Sequence, residues 1–271
     1  MSSLSGEEIE RYKRHIILKQ VGIQGQQKLK NAKVLVIGAG GLGSPVLLYL
    51  AAAGVGTLGI IDDDIVSLSN LQRQVLHDTG KLNHPKTSSA KARIHEINPH
   101  VNVIEHEMRL TPDNALDIIS DYDIVADGSD NFETRYLVND ACFFAQKPLV
   151  FAAIGPFDGH ITTFRAAEKN EQGTPNPNYR CIFPKAPPPG TVANCSEVGV
   201  LGAIAGVVGT LQATEVIKEI TTIGQSLVGR LVIYDALNCE FQTVKIAWDP
   251  NNPLSGETPS FTDLSHLKEK V

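Results

Sequence analysis

The residues with the clearest chemical content are Gly38-Ala-Gly-Gly-Leu-Gly43, a G-x-G-x-x-G run directly after the apolar, β-branched residues 34–37. Glycines between a strand and a helix let the backbone approach phosphates, so Gly38, Gly40, Gly41 and Gly43 are candidate nucleotide-binding positions. The helix N-terminus that follows offers free N–H groups and a positive dipole end. Asp62 ends the next strand about 20 residues on, where a carboxylate can bond ribose hydroxyls. NAD and ATP sites share this fingerprint, and a tight turn without a ligand would leave the same trace. The loop alone therefore does not choose among them.

The cations and carboxylates further along do choose. Ser69, Asn70 and Arg73 lie just beyond the carboxyl end of a parallel strand, the ligand-binding edge of an open α/β sheet. A solvated loop would account for Ser69 or Asn70 taken singly. Lys86 follows Pro85 at the start of a helix, where a cation opposes the helix dipole. A local rule broken without local gain points to a nearby anion, with an exposed lysine as the plain alternative. Asp130, in Asp127-Gly-Ser-Asp-Asn131, follows another strand and suits Mg²⁺, which prefers carboxylate plus phosphate oxygens. Capping of the next helix by Ser129, Asp130 or Asn131 is compatible with that role. Arg11 and Arg14, three apart, share a helix face. In-line attack of a carboxylate on the α-phosphorus of a triphosphate needs mutual repulsion cancelled, and positioning and electrostatics dominate such transfers. Arg73, Lys86, Arg14 and Mg²⁺ on Asp130 would supply the charge. Hydride transfer has no comparable need, so the set favours ATP over NAD.

These residues need a scaffold, and the sequence supplies one. Residues 5–18 read as a helix with Ser5 and Glu8 as a capping box. Strands are expected at 34–37, 57–61, 101–108, 123–126 and 149–154. Helices are expected at 44–53, 86–97, 111–120 (capped by Thr111) and 132–144. Strand–helix alternation of this kind gives a buried parallel sheet. Beyond it, residues 159–165 look antiparallel, 172–190 are mostly loop with a short strand at 179–183, and 197–220 form a helix dense in Gly and Ala. Residues 231–234 and 240–248 make a closing pair of strands. The expected fold is α/β: a Rossmann-like, doubly wound, mostly parallel sheet with a C-terminal antiparallel extension. We expect one domain over residues 1–248, with N-terminal helices at 5–31, a nucleotide-binding core at 32–154 and a further part at 155–248. A polar tail, partly disordered, follows at 249–271.

The 271 residues are 42% hydrophobic and 20% charged with a net charge of −6, which suits a globular domain and gives no footprint for nucleic acid. The N-terminus lacks the basic start and apolar core of a signal peptide, and no apolar run is long enough to span a bilayer. A cytoplasmic protein with no membrane association is expected. The cysteines, Cys142, Cys181, Cys195 and Cys239, form no C-x-x-C pair, so they read as thiols and no zinc is expected.

Arg11-Tyr-x-Arg14 with Ile16-Ile-Leu, Val36-Ile-Gly-Ala-Gly-Gly-Leu-Gly-Ser44, Ser67-Leu-Ser-Asn-Leu-Gln-Arg-Gln74, Pro85-Lys86, Asn98-Pro99, Asp127-x-x-Asp-Asn131 and Tyr234-Asp-Ala236 together resemble the ThiF/MoeB/HesA family, prokaryotic relatives of ubiquitin-activating enzymes. The resemblance runs to about Trp248. It implies a homodimer that binds Mg-ATP and adenylylates the C-terminal Gly-Gly of a ubiquitin-like sulfur-carrier protein, for molybdopterin, thiamine or tRNA thiolation pathways. By the same resemblance Gly41 meets the nucleotide, Asp62 the ribose, and Ser69, Asn70 and Arg73 the phosphates, with Leu71 and Gln72 in the same set. Lys86 lies beside them, Asp130 holds Mg²⁺ with Asn131 adjacent, and Arg14 reaches the partner subunit's ATP. The carrier's tail enters under the loop between Ile182 and Cys195, and residues 155–248 bind carrier and dimer partner. Cys195 matches a reactive sulfur-transfer cysteine of some members, although a small buried residue there is the even alternative. Where zinc-binding members carry C-x-x-C, this chain has Asn178-Tyr-Arg-Cys181, and no cysteine stands near residues 248–255. Sulfur is expected from a sulfurtransferase in a separate chain. The competing readings are a relative that adenylates a small molecule or tRNA nucleoside, a non-catalytic scaffold that binds a ubiquitin-like protein, and an NAD-dependent oxidoreductase.

Overall fold

Alternating apolar residues build the sheet. In β1 (Lys33–Ile37), Val34 and Val36 join one hydrophobic cluster while Leu35 and Ile37 join another, as the two-residue period of a strand requires. A strand buried on both faces belongs at the centre of a parallel sheet, and β1 pairs in parallel with both β2 (Thr57–Ile61) and β4 (Ile124–Asp127). The computed structural model describes residues 3–188 and 199–268. The sheet has eight strands in the order β3-β2-β1-β4-β5-β6-β7-β8. Parallel pairing extends to β3 (Asn102–His106) and β5 (Leu149–Ile154). From there β6 (Asp158–Phe164), β7 (Arg230–Asp235) and β8 (Glu240–Lys245) are antiparallel. The mostly parallel sheet with an antiparallel extension matches the expectation.

Helices cover both faces. Leu47, Leu50 and Ala51 of α4 (Gly43–Ala53), Ala90 and Ile94 of α5 (Lys86–Ile97), Leu29 of α3 (Gly22–Asn31), and Ala213 and Val216 of a long helix at Gly202–Thr221 fill one core. Ile119 of α6 (Ala115–Ser120) and Leu137 and Ala141 of α7 (Phe132–Phe144) fill the other. Each leucine, isoleucine or valine among them, fully buried, contributes roughly 1.5–3 kcal/mol. No helix among the described residues is long and apolar enough to cross a membrane.

Four local expectations are corrected. The first helix is two: α1 (Gly6–Arg11) and α2 (Lys13–Ile16) break at Tyr12, a buried residue whose hydroxyl accepts a 2.8 Å hydrogen bond from Asn98 Nδ2 and pins the chain to the core. The Ser5–Glu8 capping box is present. Thr111 does not cap α6, which opens later, at Ala115, after a turn in which Asn114 Oδ1 accepts from Thr111 N. The expected strand at 179–183 is a short helix, α8 (Tyr179–Ile182), because Asn178 Oδ1 caps it by accepting from Arg180 N at 2.9 Å. The Gly/Ala-rich helix, α9 (Gly202–Thr221), begins after Leu201 rather than at 197.

The tail also departs from expectation, since it folds back onto the domain. Asn252, Leu254 and Leu264 are buried. Asn178 Nδ2 donates to Ser255 Oγ at 2.8 Å, and Asn252 Nδ2 donates to Asn178 Oδ1 and Cys181 Sγ, each at 3.1 Å. Deeper, the fully buried Asp140 accepts from Arg180 Nε at 2.8 Å, Arg180 Nη2 at 2.6 Å and His266 Nε2 at 2.8 Å. Phe261 stacks on the His266 ring at 3.8 Å. This clasp ties the tail to α7 and α8.

Candidate active site

In a doubly wound sheet, ligands bind outside the carboxyl ends of the strands where the winding reverses. Here that point lies between β1 and β4, and a cleft opens there with about 1020 Å³ of empty space, its open mouth included. The glycine loop forms its floor. Gly38 has φ +86°, a left-handed conformation that a side chain disfavours. A Cβ at Gly43 would stand 1.9 Å from Gly38 O, so glycine alone lets α4 start this close to β1. Gly38, Gly40 and Gly41 line the cleft, whereas Gly43 lies behind it.

Asp62 lines one end. Its Oδ2 accepts from Ala39 N at 2.8 Å and its Oδ1 from Asp64 N at 2.9 Å. Burial pushes its pKa up, outweighing the opposing pull of Lys86, 4.0 Å away. Lys86 stands at the first position of α5, as expected, but it is not an exposed lysine: it is only 5% exposed. Its Nζ donates to Asp64 Oδ2 at 2.7 Å and faces the cleft. Arg73, half-buried, lines the opposite wall, with Nη1 donating to Ser69 O at 3.1 Å. Asp130 is exposed at the cleft, and no hydrogen bond or ion pair engages it among the described residues. Asn131 is the helix cap, its Oδ1 accepting from Thr134 N at 2.9 Å, which leaves Asp130 free for a ligand. Asp127 is wholly buried, and burial raises its pKa.

Other expected residues lie elsewhere. Asn70 Oδ1 accepts from Ser67 N and caps a turn, and Ser69 Oγ meets Ser67 Oγ. Neither they nor Leu71 and Gln72 line the cleft; Gln72 O instead packs beneath Gly202 at the start of α9. Arg14 is exposed on α2, away from the cleft of its own chain, and Arg11 is bonded to Ile97 O. Cys195 lies outside the described residues.

The cleft also holds residues that the motifs did not flag. Arg135 projects into it, its guanidinium over the Phe132 and Phe151 rings at 5.3 and 5.9 Å. Gln74 lies at the loop, where a Cβ on Gly40 would be 3.6 Å from its Nε2. Among the described residues, buried Gln74 Oε1 and Arg135 Nε have no hydrogen-bond partner, and neither does Oδ2 of Asp127, which does not line the cleft. Arg135 had a signal in the sequence: it falls one turn after Asn131, on the same helix face. The glycine loop before a helix N-terminus, a buried lysine, three arginines (Arg73, Arg109 and Arg135) and a carboxylate unpaired among the described residues make a site for a polyanion with a cation.

The ThiF family model matches residues 12–254 of this chain. The chain is 52% identical over 252 residues to the probable adenylyltransferase/sulfurtransferase MoeZ of Mycobacterium tuberculosis, covering 93% of this chain and 64% of that protein. It therefore spans less than two thirds of that relative's length. It is 49% identical over 258 residues to the sulfur carrier protein adenylyltransferase of Thermus thermophilus, covering 95% of this chain and 94% of that one. Among solved structures, E. coli MccB superposes with a TM-score of 0.79 at 22% identity, over 94% of this chain and 74% of that one, a likeness of fold. With its glycine loop, its buried lysine and a family match over nearly all of its length, this chain belongs to the ThiF family.

Proposed function

We propose that the chain binds Mg-ATP in this cleft and adenylylates the C-terminal glycine carboxylate of a ubiquitin-like sulfur-carrier protein. The carboxylate oxygen attacks the α-phosphorus, the bond to the β-phosphate bridging oxygen breaks, and pyrophosphate leaves. The acyl adenylate is then open to attack by sulfur. The observation that carries the reading is Lys86, a buried cation facing the cleft beside the glycine loop. Lys86 and Arg73 neutralise the phosphates as the carboxylate approaches and pyrophosphate departs. Asp62 takes the ribose hydroxyls. Asp130 fits Mg²⁺ because it is free and lies at the same cleft, and the ion would supply charge neutralisation on the phosphate oxygens. For zinc the donors are poor: at 178, 181, 252 and 255 there is one thiol, already bonded to Asn252.

Carrier and dimer contacts are part of the same proposal. The outer strand β8 is exposed along its whole length, with Phe241 and Val244 on it and Leu237 beside it, which supports docking of a protein partner there. The N-terminal helices leave Ile9, Ile17, Leu18 and Ile23 about half exposed, which supports self-association next to Arg14. Arg14 then serves the partner subunit's ATP. Cys195 is the candidate sulfur-transfer thiol. The named relatives, one of them an adenylyltransferase for a sulfur carrier, support the substrate class.

The test is ATP–pyrophosphate exchange with purified carriers, each against a version lacking its terminal Gly-Gly. Exchange that requires the intact tail is expected. Exchange with a small acid or tRNA and no carrier would reassign the acceptor, and ATP binding without exchange would favour a scaffold.

A further inference from the structure

Behind the glycine loop lies a buried imidazole that the phosphate-binding residues do not account for. His77 is 6% exposed, and both of its ring nitrogens are engaged. Nε2 lies 2.9 Å from Ala39 O, and Nδ1 lies 2.9 Å from Ser89 Oγ. A carbonyl oxygen only accepts, so Nε2 carries the hydrogen and donates it. Nδ1 of the neutral ring then accepts from the Ser89 hydroxyl. Burial pushes the His77 pKa down, and the Lys86 cation adds to that, against the pull of Asp62 and Asp78.

The two partners belong to the two parts of the cleft that must act together. Ala39 sits inside the glycine loop, and its N–H is already held by Asp62 Oδ2 at 2.8 Å. Both polar groups of Ala39 are thus tied, one to Asp62 and one to His77, so the Gly38–Ala39 peptide and the Ala39–Gly40 peptide, which carries the Gly40 N–H, are held in orientation. Ser89 is buried on α5, three residues after Lys86, and so lies on the same helix face. The imidazole is a strut between the loop and the helix that carries the cation.

We propose that His77 is a positioning residue for the nucleotide phosphates, fixing the glycine loop and Lys86 at one spacing through Ala39 O and Ser89 Oγ. This rests on the reading of the cleft as an ATP site. A histidine that merely fills the core would affect stability and leave nucleotide affinity alone.

The experiment measures Mg-ATP affinity by calorimetry, exchange kinetics and melting temperature for wild type, Lys86→Ala, His77→Ala, His77→Gln and Ser89→Ala. His77→Ala should raise the Kd and KM for ATP about tenfold, the scale of one lost hydrogen bond. The KM for the carrier should stay within about twofold. His77→Gln keeps a donor near the Nε2 position and should recover most of the affinity. Ser89→Ala touches only the Nδ1 side and should raise the Kd severalfold; it and His77→Gln decide the matter if His77→Ala does not fold. Variants that melt earlier yet bind Mg-ATP as wild type does would overturn the proposal. If wild type and Lys86→Ala bind Mg-ATP equally weakly, the ATP reading itself has failed and the role of His77 falls with it.

Discussion

The cleft and the tail clasp each bury charged and polar groups, but they finish them differently. In the clasp, Asp140 is met by Arg180 and His266, and Asn178, Cys181, Asn252 and Ser255 satisfy one another. In the cleft, Gln74 Oε1 and Arg135 Nε are left without partners among the described residues, and Lys86 leans on an exposed carboxylate. Buried polar groups are normally paired, so leaving them unpaired costs stability. A protein keeps that cost where a ligand completes the set. In the clasp the charges close on protein partners, whereas in the cleft Arg135 Nε and the Asp130 carboxylate remain open to a ligand among the described residues.

The contrast is broken most severely at Asp140. Asp140→Ala strands the Arg180 guanidinium in the interior and should cost about 3–5 kcal/mol, read by urea unfolding. A change below 1 kcal/mol would mean that the clasp is not structural. Lys86→Ala should do the reverse, cutting carrier-dependent exchange about 10²–10³-fold, the scale of one lost transition-state contact. Its melting temperature should move far less than that of Asp140→Ala.

Asp127 sharpens the comparison through pH. Burial raises its pKa above the unfolded value, so the native state holds a proton that the unfolded state releases. Stability from this group is therefore lost as pH rises from about 4 through the raised pKa. Asp127→Asn should melt higher than wild type, by about 1 kcal/mol, with the gap widening above the ordinary carboxylate range. A gap that does not change with pH would rule out a raised pKa. Smaller still, His266→Ala should cost about 0.5–1.5 kcal/mol and leave exchange intact. Cys195→Ala should leave adenylylation unchanged while stopping sulfur transfer, and a slower exchange would place that thiol in the first step.

What was legible in the sequence was local. The glycine spacing, Asp62 at a strand end and Lys86 after Pro85 are short-range patterns, and all reach the cleft. Strands and helices of the parallel half follow from period and caps. Residues 179–183 misled because aromatic and β-branched types suit a strand. Asn178 capping and the demand of Asp140, 40 residues away, for Arg180 made them a helix. Asn70 sits in the right segment, but its side chain is consumed by a turn. Arg135 had a local signal, one turn after Asn131, whereas His77 escaped because what defines it is contact with a distant element, a carbonyl 38 residues earlier in the chain. The packed tail was invisible for the same reason.

The central claim is that Lys86 and the arginines of the cleft form a nucleotide-phosphate site. Its most direct test is calorimetric titration of Mg-ATP and, separately, NAD into wild type and Lys86→Ala. The account predicts that wild type binds Mg-ATP, that Lys86→Ala loses this binding while still melting cooperatively, and that NAD binds neither protein. NAD binding in place of ATP, or equal Mg-ATP affinity in both proteins, would contradict it.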